Sequence, residues 1–287
     1  MTSKKEDVKI ILVMGKSGSG KQPRIDCLAE EFGFMQVSTG NLFRACIGLF
    51  NSVDFKGELK SAWDDSKNDF KPDTDLLKIV EEHAANKDVL SSAATNKETL
   101  ILGMKAKYFV EAGLFCPDSI TNGIFANAFE TYFSAPLETC GSKRRGLILD
   151  GFPRTLPQGQ FLDDLLKKHN LKIDFILEVD LDDDTIIKRT TDRRICPKCQ
   201  AVFHLMFKPP RDEKFCTECG TEVKQRADDA SEALLRNRLK EYTDKVAPTL
   251  AKYKADGIPV ATVTGNLPDM KPETIRNSVM GAVDKLF

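Results

Sequence analysis

Apolar residues in this chain follow two rhythms. Short unbroken runs, rich in β-branched side chains and bounded by glycine or charge, alternate with longer stretches in which apolar residues recur every three or four positions. The first run is Ile10-Ile11-Leu12-Val13-Met14. Runs of this kind read as strands buried on both faces of a parallel sheet. The signal returns at Phe34-Met35-Gln36-Val37, Gly146-Leu147-Ile148-Leu149-Asp150, Phe175-Ile176-Leu177-Glu178-Val179 and Ile258-Pro259-Val260-Ala261-Thr262-Val263. Helical spacing fills the intervals, beginning with Ile25 to Phe32. Strands alternating with helices predict a doubly wound α/β core with a parallel five-stranded sheet.

Residues 50 to 145 interrupt the alternation with helical patterns and many charges. Ala62-Trp63, then Phe70-Lys71-Pro72-Asp73, is echoed by Lys107-Tyr108, then Phe115-Cys116-Pro117-Asp118. Each copy reads as a helix, a Pro-Asp turn and a new helix opened by a capping Asp. Two helical hairpins in series and a chance similarity are both compatible with the echo. Before this region, Ser38 or Thr39 of Ser38-Thr39-Gly40-Asn41 can cap a helix beginning near Leu42, with Arg44 close to its start.

Composition removes several classes of function. A net charge of -1 offers no general attraction for nucleic acid or an anionic membrane. No apolar run approaches the ~20 residues that span a bilayer. Met1-Thr2-Ser3-Lys4-Lys5-Glu6-Asp7 has the character of neither a signal nor a transit peptide, so a cytoplasmic protein is expected. In that reducing compartment the paired cysteines point to metal rather than disulfide.

The first strand runs directly into Gly15-Lys16-Ser17-Gly18-Ser19-Gly20-Lys21, the phosphate-loop pattern of Gly, four residues, Gly-Lys. Such a loop turns backbone N–H groups toward an anion, and the following helix adds partial positive charge. A glycine-rich turn without a ligand would leave Lys21 unexplained. The pattern calls for Ser or Thr after the lysine, but Gln22-Pro23 follows. Pro23 suits a first helical position and has no N–H to donate. The Gln22 amide is the candidate substitute donor.

Asp150 ends a strand and Arg154 follows in the loop Gly151-Phe152-Pro153-Arg154-Thr155. Ligands of open parallel sheets sit beyond the carboxyl ends of the strands. Asp150 there can hold magnesium, directly or through water, and Arg154 can clamp phosphate. Cys196-x-x-Cys199 and Cys216-x-x-Cys219 have the spacing of a tetrahedral four-thiolate zinc site. His204 lies between the pairs and is not needed as a ligand. A redox pair is disfavoured because neither motif opens a helix of a thioredoxin-like unit. A nucleic-acid-binding ribbon has suitable arginines but little aromatic interleaving. Arginines flank the cysteine segment: Arg189, Arg193 and Arg194 before it, Arg226, Arg236 and Arg238 after it. Asp228 and Asp229 can orient Arg226. Folded over the loop, these arginines would neutralise a transferred phosphate.

Taken together these motifs resemble the long-lid adenylate kinases, in the form whose lid binds zinc. The matching residues are Gly15 to Lys21, Ser38-Thr39-Gly40 with Arg44, Asp150 to Thr155 with Gln158, Arg193-Arg194-Ile195-Cys196, Arg226-Ala227-Asp228-Asp229, and Arg238-Leu239 with Tyr242, in the family's order. The resemblance implies a P-loop NTPase type of core at 1–37, 146–192 and 229–287. It also implies a zinc-ribbon-like lid at 193–228 and a monophosphate-binding helical domain at 38–145. The implied reaction is ATP + AMP = 2 ADP with Mg2+, in an expected monomer. Gly15, Lys16, Ser17, Gly18, Ser19, Gly20, Lys21, Gln22, Arg189, Arg193, Val202 and Phe203 would bind ATP, with Arg189 along the adenine. Thr39, Arg44, Cys116, Gly151, Phe152, Pro153, Arg154, Gln158, Arg226 and Arg238 would bind AMP, Gln158 reading its base. Lys21, Asp150, Arg154, Arg193, Arg226 and Arg238 would act on the phosphates, and Cys196, Cys199, Cys216 and Cys219 would hold structural Zn2+.

The chain departs from the family in three places. Gln22-Pro23 replaces the family's Gly-Thr. The stretch from Asp229 to Arg238 is one residue longer than usual, so Arg236 competes with Arg238 for its role. The helical domain carries about fifty extra residues, here assigned to roughly 50–100 and available as a docking surface, with the Cys116 hairpin preferred over the Lys71 one as the AMP-lining element. A GTP-dependent AMP phosphotransferase, or a catalytically weak nucleotide-binding or assembly protein, are the alternatives.

Overall fold

The computed structural model describes residues 8–64, 66, 69–92, 96–111, 116–134, 146–199, 201–225 and 231–286. The chain divides into two compact units, residues 1–36 with 142–287, and residues 37–141. Among the described residues no helix is long and apolar enough to cross a membrane.

The first strand, β1 (Lys9–Met14), is buried along nearly its whole length, and α1 (Lys21–Phe32) follows the glycine loop. The helix therefore starts at Lys21 itself, so Pro23 is its third residue, still within the first turn where a missing N–H costs little. After β2 (Met35–Ser38) the chain passes into α2 (Thr39–Ser52) without a linker. That helix begins three residues before the expected Leu42, and the extended Ser38 precedes it with no side-chain cap. Gly40 disfavours helix by about 1 kcal/mol, which the burial of Cys46 and Phe50 on the same helix offsets.

The helical unit departs from the sequence expectation at its first hairpin. In place of a helix, a 3₁₀ turn at Lys60–Ala62 leads into an antiparallel ribbon, β3 (Trp63–Asp64) with β4 (Asp69–Phe70), Trp63 opposite Phe70. Asp64 Oδ1 accepts from Ser66 N at 3.0 Å and Ser66 Oγ at 2.6 Å, an Asx turn that competes with helix. Next come α3 (Leu76–His83) and the short α4 (Lys87–Ser91). The cap of α3 is Asp75, which accepts from Lys78 N, and not Asp73. Two long helices follow, α5 (Lys97–Glu111) and α6 (Asp118–Ser134). Residues 112–115 lie outside the described residues, so the second copy is followed only up to α5 and from Cys116 onward.

The residues assigned to an insertion are thus folded, and they share one core with α2, α5 and α6. Trp63 lies 5.2 Å from the Phe70 ring, 4.4 Å from Tyr108 and 5.3 Å from Phe109, so the ribbon is clamped onto α5. α5 in turn approaches α2 at Gly103, where any Cβ would fall 2.0 Å from the Cys46 carbonyl oxygen.

The chain then returns to the sheet with β5 (Gly146–Asp150), α7 (Leu156–Lys168), β6 (Phe175–Asp180) and α8 (Asp183–Thr191). Thr155 caps α7 by accepting from Gln158 N, and Asp182 caps α8 by accepting from Thr185 N. A small ribbon, β7 (Arg193–Ile195) with β8 (Val202–His204), opens the cysteine segment. Helix α9 (Glu232–Glu241) runs through one π-helical turn, Tyr242–Val246, into α10 (Ala247–Ala255). β9 (Val260–Thr264) and α11 (Pro272–Val283) complete the unit.

The sheet order is β2-β5-β1-β6-β9. β1 pairs in parallel with both β5 and β6, placing Val13 level with Asp150 and with Leu177. One face buries Ile11, Val13 and Ile148 against Ile25 and Leu28 of α1 and Ile275 and Val279 of α11. Each such side chain contributes about 1.5–3 kcal/mol. The loop after β1 and the carboxylate ending β5 thereby emerge at the same edge of the sheet.

Candidate functional site

The loop Gly15–Gly20 turns back on itself, with Ser19 N donating to Lys16 O at 3.1 Å. Gly18 needs glycine twice over. Its φ is +89°, and a Cβ there would lie 2.5 Å from Thr190 Oγ1. Lys21 reaches back along the loop, its Nζ donating to Gly15 O at 2.8 Å and Lys16 O at 3.0 Å. Burial pushes the Lys21 ammonium down to about 8. The Asp150 carboxylate opposes that shift, while the guanidinium groups of Arg154, Arg193 and Arg238 add to it. The structure therefore gathers Lys21, Asp150, Arg154, Arg193 and Arg238, five of the six residues expected to act on phosphate. Arg226, with Asp228 and Asp229, lies outside the described residues.

The arginines differ in what holds them. Arg238, on α9, hydrogen-bonds through Nη2 to the Ser17 hydroxyl of the loop. Arg236 instead pairs with Glu232 one helical turn away, at 2.7 Å, in the exposed part of α9. Of the two, Arg238 is the one that reaches the loop. Arg154 donates through Nε to Gly151 O at 2.9 Å, and its backbone N–H donates to Gln158 Oε1 at 2.8 Å. Gln158 is 4% exposed, so it braces the turn that carries Arg154. Phe152 and Pro153 are buried in that turn. Arg189 donates to Gly265 O and to Asn266 Oδ1, both at 2.8 Å, and lies 5.5 Å from the Phe207 ring centre.

Three residues of the expected donor-nucleotide set have other side-chain neighbours in this structure. The Gln22 amide donates to Asp26 Oδ1 at 2.8 Å and to Gln36 Oε1 at 2.9 Å, which uses both its N–H bonds and leaves none for phosphate. Lys16 Nζ pairs with Asp183 Oδ1 at 2.7 Å and donates to Leu181 O at 3.2 Å. The Phe203 ring is 1% exposed and packs with Cys196, Cys216 and Val223, whereas Val202 beside it is 40% exposed.

No motif pointed to Arg24. It is fully buried beneath the loop, donating through Nη1 to Gly20 O at 2.8 Å and through Nη2 to Thr264 O at 2.5 Å, while Nε has no partner among the described residues. Burial, then the neighbouring Arg189, brings it down to about 10, so it stays protonated at neutral pH. Gln36 was likewise read only as a strand residue. Its Nε2 donates to Asp150 Oδ2 at 3.2 Å.

The four cysteines expected to bind metal do come together. All four Sγ atoms lie within 4.8 Å of one another, with Cys196–Cys219 at 3.4 Å, Cys199–Cys216 at 3.5 Å and Cys199–Cys219 at 3.6 Å. A tetrahedron with Zn–S bonds of ~2.3 Å has edges of about 3.8 Å, so the donor set and its size fit zinc. His204 Nδ1 accepts from the Met206 and Phe207 N–H groups and is not part of the cluster. For magnesium, Asp150 supplies a hard oxygen donor at the strand end beside Lys21.

In the helical unit, Thr39 is buried at the first position of α2. Arg44 is exposed on that helix and donates through Nη2 to Asn41 Oδ1. Cys116 is half-buried just before α6.

A family model described as adenylate kinase matches residues 77–258. The chain is 30% identical over 276 residues to the adenylate kinase of Enterococcus faecalis, covering 96% of this chain and 99% of that one. A Clostridium botulinum adenylate kinase is 30% identical over 277 residues, covering 96% of this chain and 97% of the relative. One from a Geobacillus species is 30% identical over 247 residues, covering 86% and 87%.

Proposed function

The chain belongs to the adenylate kinase family, and we propose that it catalyses Mg2+-dependent, reversible phosphoryl transfer, ATP + AMP = 2 ADP. Membership makes it a nucleoside monophosphate kinase. The observation that carries the finer reading is the gathering of Lys21, Arg154, Arg193 and Arg238 around the phosphate loop with Asp150 as the single acid among them. Phosphoryl transfer asks for positioning and charge neutralisation, and this set supplies both.

In this reading the backbone of Gly15 to Gly20 cradles the donor phosphates, with Lys21 at the outer ones and Arg238 beside Ser17. Asp150 would hold magnesium, directly or through water, and the ion would supply positive charge against the transferring phosphate. Arg193 and Arg226 approach from the cysteine-bearing segment, the lid at 193–228, whose four thiolates hold structural Zn2+. Arg189 and the exposed Val202 lie along the donor base. Arg154 binds the acceptor phosphate, and Gln158 meets the acceptor base through its amino group while its oxygen braces Arg154 N. Thr39, Arg44 and Cys116 are the helical domain's candidates for AMP, with 38–145 as that domain.

The test is ADP production by the purified, metal-loaded protein with ATP and Mg2+. AMP is replaced in turn by GMP, CMP and UMP, and ATP by GTP. Turnover with ATP and AMP together, and not with the other acceptors, supports the proposal. A preference for GTP reassigns the donor. The loop's lost hydroxyl and the fully engaged Gln22 amide favour one second reading, a nucleotide-binding protein with weak catalysis. ATP binding without turnover on any acceptor selects it.

A further inference from the structure

Two glutamines stand between the phosphate loop and Asp150. Gln22 is the second residue of α1 and Gln36 lies in β2. Their amides face each other: Gln22 Nε2 donates to Gln36 Oε1 at 2.9 Å, and Gln36 Nε2 donates to Gln22 Oε1 at 3.1 Å. Each amino group also donates outward to a carboxylate, Gln22 to Asp26 Oδ1 at 2.8 Å and Gln36 to Asp150 Oδ2 at 3.2 Å. An ionised carboxylate only accepts, so the acids at the two ends dictate which end of each amide is nitrogen. Turning either amide would set oxygen against a carboxylate, so the two orientations are locked together.

We propose that Gln22 is a positioning residue that acts through Gln36 on Asp150, so that the position after the loop lysine serves the metal side of the site at one remove. The phosphate-loop pattern puts a Ser or Thr hydroxyl at this position to touch the metal directly. Here the side chain is longer and is engaged by Asp26 and Gln36. Its anchor is Asp26, one helical turn along α1, and its far end is the carboxylate ending β5. A donor held against Asp150 Oδ2 fixes the rotation of that carboxylate, and groups that orient a metal-binding carboxylate typically change metal affinity by about 10–100-fold. The inference rests on the proposed magnesium role of Asp150.

The experiment measures ATP binding by calorimetry across a range of Mg2+ concentrations and again in EDTA. It compares the full-length protein with Gln22→Met, Gln36→Met, the double variant and Asp150→Asn. Methionine keeps the length of the side chain and removes its hydrogen bonds. Because Gln22 acts at one remove, Gln22→Met should raise the Mg2+ concentration at half-effect roughly three- to tenfold. Its ATP affinity in EDTA should stay within about twofold, and the double variant should match the larger single one, because the two amides form one chain. Equal loss of affinity with and without Mg2+ overturns the relay, as do additive effects or an unmoved Mg2+ midpoint. Asp150→Asn separates the two layers of the argument. If it leaves the Mg2+ midpoint in place, the magnesium role of Asp150 has failed. If it moves the midpoint and Gln22→Met does not, the relay alone has failed. Should Gln22→Met not fold, Gln22→Ala and Gln36→Met carry the same expectation.

Discussion

Lys21 connects the site's electrostatics to a measurable proton. Its ammonium is pushed down to about 8, first by burial and then by three guanidinium groups, against the pull of Asp150. A nucleotide triphosphate placed in the loop reverses the balance, because phosphate oxygens favour the charged lysine. Binding therefore requires a proton that the free protein loses progressively as the pH rises through 8. If only the charged form binds, the association constant should fall about tenfold between pH 7 and pH 9, or about 1.4 kcal/mol. At pH 9 each binding event should take up about 0.9 proton. The phosphates of the ligand do not confuse the measurement, since their last ionisation lies near about 6. The assay is calorimetric titration of ATP at pH 7, 8 and 9, repeated in buffers of different ionisation enthalpy, whose slope gives the proton count. Lys21→Arg keeps the charge and abolishes the titration, so its affinity should be flat over the same range. A wild-type affinity constant to pH 9, with no proton uptake, would refute the placement of Lys21 against phosphate.

Other expectations concern the arginines, the cysteines and the helical unit. Arg238→Ala should lower kcat/KM by about a hundredfold or more. Arg236→Ala, which breaks only an exposed pair with Glu232, should leave steady-state rates within about twofold; equal effects would mean that the Ser17 contact does not select Arg238. Cys216→Ser combined with Cys219→Ser should abolish bound metal and make 193–225 the first segment cut by protease; intact metal stoichiometry would remove these thiols from the site. Phe70→Ala should destabilise the helical unit by about 3–5 kcal/mol. The single tryptophan, Trp63, meets the Phe70 ring edge to face, so its fluorescence should report that loss at lower urea concentration.

The parts of this protein that were legible in the sequence are those where one local pattern has one physical solution. Ile10 to Met14 can only be a strand covered on both faces, and the glycine spacing that follows it leaves little but an anion-binding loop. Two Cys-x-x-Cys pairs place four thiolates within reach of one another, as the cluster does. The failures came where a tertiary partner decides. Trp63 and Phe70 read as helical residues because nothing local announces a ribbon of two-residue strands; Tyr108 and Phe109, far along the chain, hold it in place. Asp75 and Asp73 are equivalent as caps on paper, and only the fold chooses the first. Arg24 carries a charge that sequence reasoning sends to solvent, yet two carbonyls beneath the loop receive it. The Gln22 amide looked available because its two acceptors, Asp26 and Gln36, are assembled by a helical turn and a neighbouring strand.

These observations converge on one property of the loop. A chain with a net charge of -1 concentrates Lys21, Arg154, Arg193 and Arg238 around a single acid, and buries Arg24 just behind them. Like charges held together in a partly desolvated place raise the free energy of the protein, and their repulsion adds to the burial that is the larger cause of Lys21's lowered value. A polyphosphate bound there, as proposed, would offset that repulsion, so part of its binding free energy would be stored in the folded protein before any new contact forms. Loops with a hydroxyl after the lysine add a neutral donor and a metal ligand at that point. This chain has neither, and its Gln22 amide is turned toward Gln36 and Asp26. In the proposed reading the loop would hold phosphate chiefly by concentrated positive charge, and burial followed by the neighbouring guanidinium groups keeps its lysine below the ordinary range for an ammonium.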